Sequence, residues 1–385
     1  MSLLAKSASI IIRFQFRQLL GFSVSCLLIG STLSVSQESK TTKDLDPRAY
    51  VEQALDLMQK NALHRGEIDW QRVRQETLAR ANGARTTSET YPALVYALTQ
   101  LKEEHSFFIV PDDLSSEKKE KAEVAMAKIR PKLLPIKDSP FSPSTEIRGH
   151  IDRDRGRMVA HIYVPNCLGP NAADPEKNAP YFQEFAEKLH ALVVSLEAQK
   201  PSGWIVDLRG NQGGNVWPML AGIGPLLGEG DLGAFQAPGG SPTPWFYKSG
   251  KAGIRSEQGE EISAEIKQPS VFKNPPPVAV LLDRATGSSG EVVAISFAGR
   301  SRTRSFGEHT AGLTTANEAQ RLGDGALLIL SVALEVDRNG KQYPNGLDPD
   351  SALPAPSARP TEDKDVVVQT AIDWLATQTE AAQRP

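Results

Sequence analysis

The chain has 385 residues, 40% of them hydrophobic and 23% charged, with a formal net charge of -3. This is the balance of a globular protein long enough for one large core and a smaller lobe. Acidic and basic residues are interspersed, so there is no basic stripe to neutralise phosphates, and nucleic acid is excluded as a partner class.

Lys6, Arg13 and Arg17 precede the apolar run 19–35, and Ser34 and Ser36 supply the small side chains that signal peptidase needs. Residues 1–36 are therefore read as a signal peptide cleaved before Gln37, which sends the mature chain to the periplasm or the exterior. An uncleaved anchor over residues 19–35 is the alternative, and only then is a membrane a partner. Cys26 has Ser23, not leucine, three residues before it, which argues against lipid attachment. After cleavage Cys167 alone remains of the two cysteines, so no intramolecular disulfide or cysteine metal site is available.

Residues 37–46 are polar and rich in Lys, Thr and Ser, a linker composition. Over 47–132 the apolar residues recur at helical spacing (Val51, Leu55, Met58; Tyr91, Leu94, Leu98, Leu101), which predicts a small helical lobe. An α/β core is expected over 133–380. The charged turn 152–156 and the strand formers of 157–164 predict a hairpin, and Phe182, Phe185, Leu189, Val193 and Leu196 line one face of a helix. Two strand-turn-helix units follow. In one, strand 204–208 runs into Arg209-Gly210-Asn211-Gln212-Gly213-Gly214; in the other, strand 277–282 runs through 283–287 into a helix over 288–298 that Gly299 closes. A loop over 239–244, a strand over 327–334 and a helix over 366–375 complete the pattern, which places function at strand ends.

Ser288 opens a helix directly after a strand, where free backbone N–H groups and the positive end of the helix dipole suit a nucleophilic alcohol. The same residues, Ser288-Ser289-Gly290-Glu291, also read as a capping box. Gly213 and Gly214 free the backbone to turn N–H groups toward an oxyanion, although a simple chain reversal uses such glycines too. His105, at the end of the helical lobe, is the residue type that serves a serine as base. His64, His150, His161, His190 and His309 show no metal-ligand spacing along the chain. No metal and no cofactor is expected.

The ordered set "DLRGNQGG", "LLDRATGSSGEVVAISFAGRSRTRSFGEHTAGLTTAN", "GDGALLIL" and "NGLDPD" resembles the tail-specific (carboxyl-terminal processing) protease family, whose members include the tricorn-like proteases and the repeats of interphotoreceptor retinoid-binding protein. "LHRGEIDWQRVR" and "LTQLKEEHSFF" are similar to that family's helical lobe. The resemblance implies a crotonase- and Clp-protease-like spiral α/β core with a small N-terminal helical lobe. The roughly 100 residues between His105 and Asp207 must hold the 133–164 strands and the Phe182 helix, which leaves too little chain for a PDZ-like module. The resemblance makes Ser288 the nucleophile. Where lysine-using members carry their base this chain has Leu313, so the resemblance is to the tricorn-like branch, with His105 as base. It further implies an oxyanion hole from Gly213 or Gly214 with Ser289, and an orienting group among Ser106, Asp348 and Asp350. The expected substrate is an exported polypeptide; an inactive binding protein on this scaffold and a serine esterase remain alternatives. With a histidine base, the acid limb of the rate profile is expected near pH ~6 to 7.

Overall fold

The computed structural model describes residues 45–382, apart from 112, 131–135, 137, 142, 155, 171–174, 273, 355, 357 and 361–363. The signal segment and most of the linker lie outside the described residues. No helix among the described residues is long and apolar enough to cross a membrane.

The N-terminal lobe begins where Asp46 accepts from Ala49 N–H and Pro47 starts helix α1 (Pro47–Asn61). Its buried residues, Tyr50, Val51, Ala54, Leu55 and Met58, form one stripe. Helices α2 (Trp70–Arg80), capped by Asp69, and α3 (Thr87–Leu98) pack beside it, and α4 (Ser116–Ala127) follows the short strand β1 (Phe107–Ile109). The lobe does not close on itself. Its core includes Leu328 and Leu330 from a later strand and Leu322 from the turn before it, and the Tyr50 and Tyr91 hydroxyls both donate to Asp324, at 2.9 and 2.7 Å.

Two sheets make up the rest. The first contains β2 (Arg148–Asp154), β3 (Arg157–Tyr163), β4 (Gly203–Asp207), β9 (Val278–Leu282), β10 (Thr303–Gly307) and β13 (Ser351–Ala352), in the order β13-β10-β9-β4-β3-β2. All its pairs are parallel except the β2–β3 hairpin. All five residues of β4 and of β9 are buried, as expected of strands covered on both faces. Ala160, Ile162, Trp204, Val206, Val278 and Val280 meet α5 (Ala179–Glu197), α6 (Val216–Leu227) and α7 (Ser289–Phe297), while Val159, Ile205, Ala279 and Leu281 meet the C-terminal helix α8 (Val366–Ala382).

The second sheet is antiparallel, built from β5 (Gly230–Gln236), β6 (Thr243–Lys248), β7 (Lys251–Ser256), β8 (Gly259–Glu265), β11 (Thr315–Arg321) and β12 (Leu327–Asp337), and it includes β1. β1 pairs with β12 through Phe107 opposite Ile329. This pairing brings the segment just after α3, and with it His105, against β11 and β12. The predicted hairpin, both strand-turn-helix units and the left-handed Gly299 (φ +74°) are all present. The β5–β8 meander was not predicted.

Candidate active site

The loops after β4 and β9 are tied to each other. Asp283 accepts from Gly210 N–H at 3.0 Å, and the Thr286 hydroxyl donates to Leu208 O at 3.0 Å. Gly287 N–H donates to Asn211 O at 2.9 Å. The contact is tight enough that a Cβ on Gly213 would lie 2.9 Å from Ser288 Cβ and 3.0 Å from Ser289 N, and Gly213 itself has φ +108°. Glycine is required here by both approach and conformation.

Ser288 stands at the N-cap of α7 with φ +52°, a left-handed conformation that a side chain occupies only when its surroundings hold it there. Glu291 does part of the holding. Its fully buried carboxylate accepts from Ser288 N–H (2.9 Å), Leu313 N–H (2.8 Å), Gly312 N–H (2.9 Å) and the Thr310 hydroxyl (2.5 Å). The reach-back half of the capping box is thus present and extends to a second loop. Burial raises Glu291 to about 7 against the opposing pull of these donors. Glu335, also buried, is pushed well above the usual carboxylate range by burial and then by Glu291.

His105 meets the same loop two residues further on. Its Nδ1 is 2.8 Å from Thr315 Oγ1, which is 3.0 Å from Ser331 Oγ. Ser331 Oγ in turn faces two acceptors, Glu103 Oε2 at 2.9 Å and Asn317 Oδ1 at 3.0 Å. A hydroxyl has one proton, so that of Ser331 points to one of these acceptors and its lone pairs receive the Thr315 proton. Thr315 then accepts from His105 Nδ1–H, which leaves Nε2 as the basic nitrogen. Glu103 also accepts from the N–H groups of His105 (2.7 Å) and Ser106 (2.9 Å), and the Arg130 guanidinium donates to the carbonyls of Glu104 and Ser106.

His105 is only 3% exposed. Burial, and then the Arg130 charge, push its imidazole down to about 3, with Thr315 working the other way. This burial places the imidazole below the pH ~6 to 7 expected from the usual range of a histidine in a folded protein.

The structure assembles some of the predicted residues and separates others. Ser288, Ser289, Gly213 and Gly214 lie together, and the segment 312–315 links them to His105 through Glu291 and Thr315. Gly213 N–H donates to Asn211 Oδ1 at 2.9 Å, whereas Gly214 N–H and Ser289 N–H have no protein acceptor among the described residues. The Ser289 hydroxyl donates to Gly214 O at 2.6 Å. Ser106 is buried beside His105 but its hydroxyl accepts from Ser331 N–H. Asp348 pairs with His309, and Asp350 with the backbone and hydroxyl of Ser305. As orienting groups these two are corrected: the partner of His105 Nδ1 is Thr315, with Ser331 and Glu103 behind it. A spacing argument missed these three because strand pairing supplies Thr315 and Ser331, and Glu103 reads as one more charge in "LKEEH". Leu313, at the lysine position, is 1% exposed among Phe107, Ile109, Leu327 and Ile329.

The Peptidase family S41 profile matches residues 178–353. The chain is 28% identical over 299 residues to the Nisin-resistance protein of Lactococcus lactis subsp. lactis, covering 78% of this chain and 80% of the relative. It is 27% identical over 202 residues to the carboxyl-terminal-processing protease of Synechocystis sp., covering 51% of this chain and 42% of the relative, so it spans less than half of that protein. In fold it resembles a lipoprotein from Streptococcus agalactiae, with TM-score 0.62, 21% identity, and coverage of 90% of this chain and all of the other. The chain therefore carries a Peptidase family S41 domain over residues 178–353, which holds Gly213, Gly214, Ser288 and Glu291.

Proposed function

We propose that the chain is an exported serine peptidase in which Ser288 attacks the peptide carbonyl and His105 Nε2 takes the serine proton. The N–H groups of Gly214 and Ser289 receive the developing oxyanion, and Gly213 provides the close approach. The acyl-enzyme is then resolved by water. The observation that carries this reading is the braced, left-handed Ser288 at a helix start, joined through Glu291 to the loop whose Thr315 orients His105. During proton transfer an imidazolium forms in a buried place. The chain from Thr315 to Ser331, with Glu103 and Asn317 as its end acceptors, polarises the imidazolium Nδ1–H, and when Ser331 donates to Glu103 this is the role an orienting acid plays elsewhere.

Export through cleavage after Ser36 belongs to the same proposal, and the mature N-terminus should then be Gln37. Extended polypeptides are the proposed substrates. A nisin-type peptide is a suitable first assay substrate because the lactococcal relative is named for nisin resistance.

A fluorophosphonate probe tests the reading. Labelling and peptide turnover should disappear in Ser288→Ala, with kcat down by several orders of magnitude, and should largely survive in Ser289→Ala. Equal losses in the two variants would refute Ser288 as nucleophile. Absence of labelling in the unmodified protein would instead support a binding protein on this scaffold.

A further inference from the structure

A second cluster of chemistry-bearing side chains lies on the β2–β3 hairpin. His150 on β2 is directly opposite His161 on β3, and Asp152 follows His150 by two residues, which places it on the same face of the strand. The three converge. His150 Nε2 is 3.1 Å from Asp152 Oδ1, and His161 Nδ1 is 3.3 Å from Asp152 Oδ2. One ligand atom from each of the three lies within 4.8 Å of those from the others.

These separations carry chemical information. Hydrogen bonds between imidazolium and carboxylate close to about 2.7–2.9 Å. Donor atoms sharing a tetrahedral zinc ion at bonds of ~2.0–2.2 Å stand about 3.3–3.5 Å apart; the His161 spacing of 3.3 Å matches that figure and the His150 spacing of 3.1 Å lies midway between the two. The far ring nitrogen adds an independent feature. His161 Nε2 faces the buried Asp207 carboxylate at 3.4 Å, and Asp207 is held by the Arg209 guanidinium at 2.7 and 2.9 Å. A metal-bound histidine characteristically turns its other N–H to a fixed carboxylate, which sets the tautomer and leaves the first nitrogen free for the ion. His150, with its side chain 32% exposed, leaves a way in from solvent, while His161 at 1% anchors the site below it.

We propose that His150 Nε2, Asp152 and His161 Nδ1 form a binding site for a divalent transition-metal ion, with Zn2+ the ion best suited to two imidazoles and one carboxylate. Asp207 is the supporting partner. Because Asp207 and Arg209 open the segment that runs to Gly213 and Gly214, the ion would brace the strand end from which the Ser288 neighbourhood is built.

The test uses the untagged full chain, stripped of metal with a chelator and titrated with Zn2+ alone by calorimetry. One Zn2+ per chain should bind, and His150→Ala and Asp152→Asn should each weaken binding by at least about 100-fold, more than outer-shell changes do. His309→Ala should have no effect. In the unmodified protein the imidazole NMR signals of His150 and His161 should shift on Zn2+ addition, and Co2+ should give visible d–d absorption, readouts that stand even if a variant does not fold. Stoichiometric binding that survives both substitutions, unshifted His150 and His161 signals, or no binding to the unmodified chain would each overturn the proposal.

Discussion

The burial of His105 sets the pH at which a base of this kind stops working. At pH 5.5 an imidazole with the ordinary value of ~6.5 is about nine-tenths protonated, whereas one pushed down to about 3 is almost wholly neutral. The direct assay follows the His105 ring carbons by NMR in Ser288→Ala protein, with the signal assigned by its loss in His105→Asn. The signal should stay at its neutral position from pH 8 to below 5. Stability supplies a second, signed readout. The folded value lies below the unfolded one, so the stability gained by keeping His105 neutral is fully present above pH ~6.5 and is lost as pH falls, at about 1.4 kcal/mol per pH unit. Between pH 6.5 and 4.5 that amounts to about 2–3 kcal/mol. Glu291 acts in the opposite sense: its folded value of about 7 lies above the unfolded 4.5, so acidification through that window stabilises the fold. Taking the difference between wild type and His105→Asn in denaturant titrations cancels the Glu291 contribution. A His105 midpoint between 6 and 7, or no pH dependence in that difference, would refute the argument from burial and Arg130.

Thr315→Val keeps the shape of the side chain and removes the acceptor at Nδ1; kcat should fall by about 10²-fold with KM unchanged, and an equal loss in kcat/KM arising wholly from KM would rule out an orienting role. Gly213→Ala adds a Cβ 2.9 Å from Ser288 Cβ at φ +108°, so it should lower stability by about 1–3 kcal/mol and abolish labelling of Ser288, while Gly240→Ala in the exposed β5–β6 turn should be neutral in both melting and labelling assays. Leu313→Lys should not restore turnover to His105→Ala, because position 313 is buried among apolar side chains that neither aim an amine at Ser288 nor accept its proton; recovery of peptidase activity in the double variant would contradict that account.

Much of the fold was legible because its cause is local. Continuous apolar runs such as Val278–Leu282, helical stripes such as Phe185, Leu189 and Val193, and a glycine tolerant of φ +74° at 299 each announce their structure within a few residues. The place of Ser288 at a helix start was legible for the same reason: strand, turn and helix start are neighbours in the chain. The β5–β8 meander was not, since a strand such as Gly259–Glu265, exposed along nearly its whole length, carries little apolar pattern to read.

The sequence by itself therefore determined which segments form strands and helices, and through its family resemblance it carried the expectation of serine chemistry with Leu313 in place of a lysine base. Only the tertiary structure decided who touches whom. β1 pairing with β12 carries His105 across more than two hundred residues of chain to Thr315 and Ser331, and the packing that buries it also changes its proton affinity. The β2–β3 register likewise sets His150 opposite His161, eleven positions away, where no spacing rule along a single strand would look. The physical reason is the same in each case: hydrogen-bond partners and desolvation are properties of three-dimensional neighbours, and strand register, which chooses those neighbours, is settled by the whole sheet rather than by any one segment.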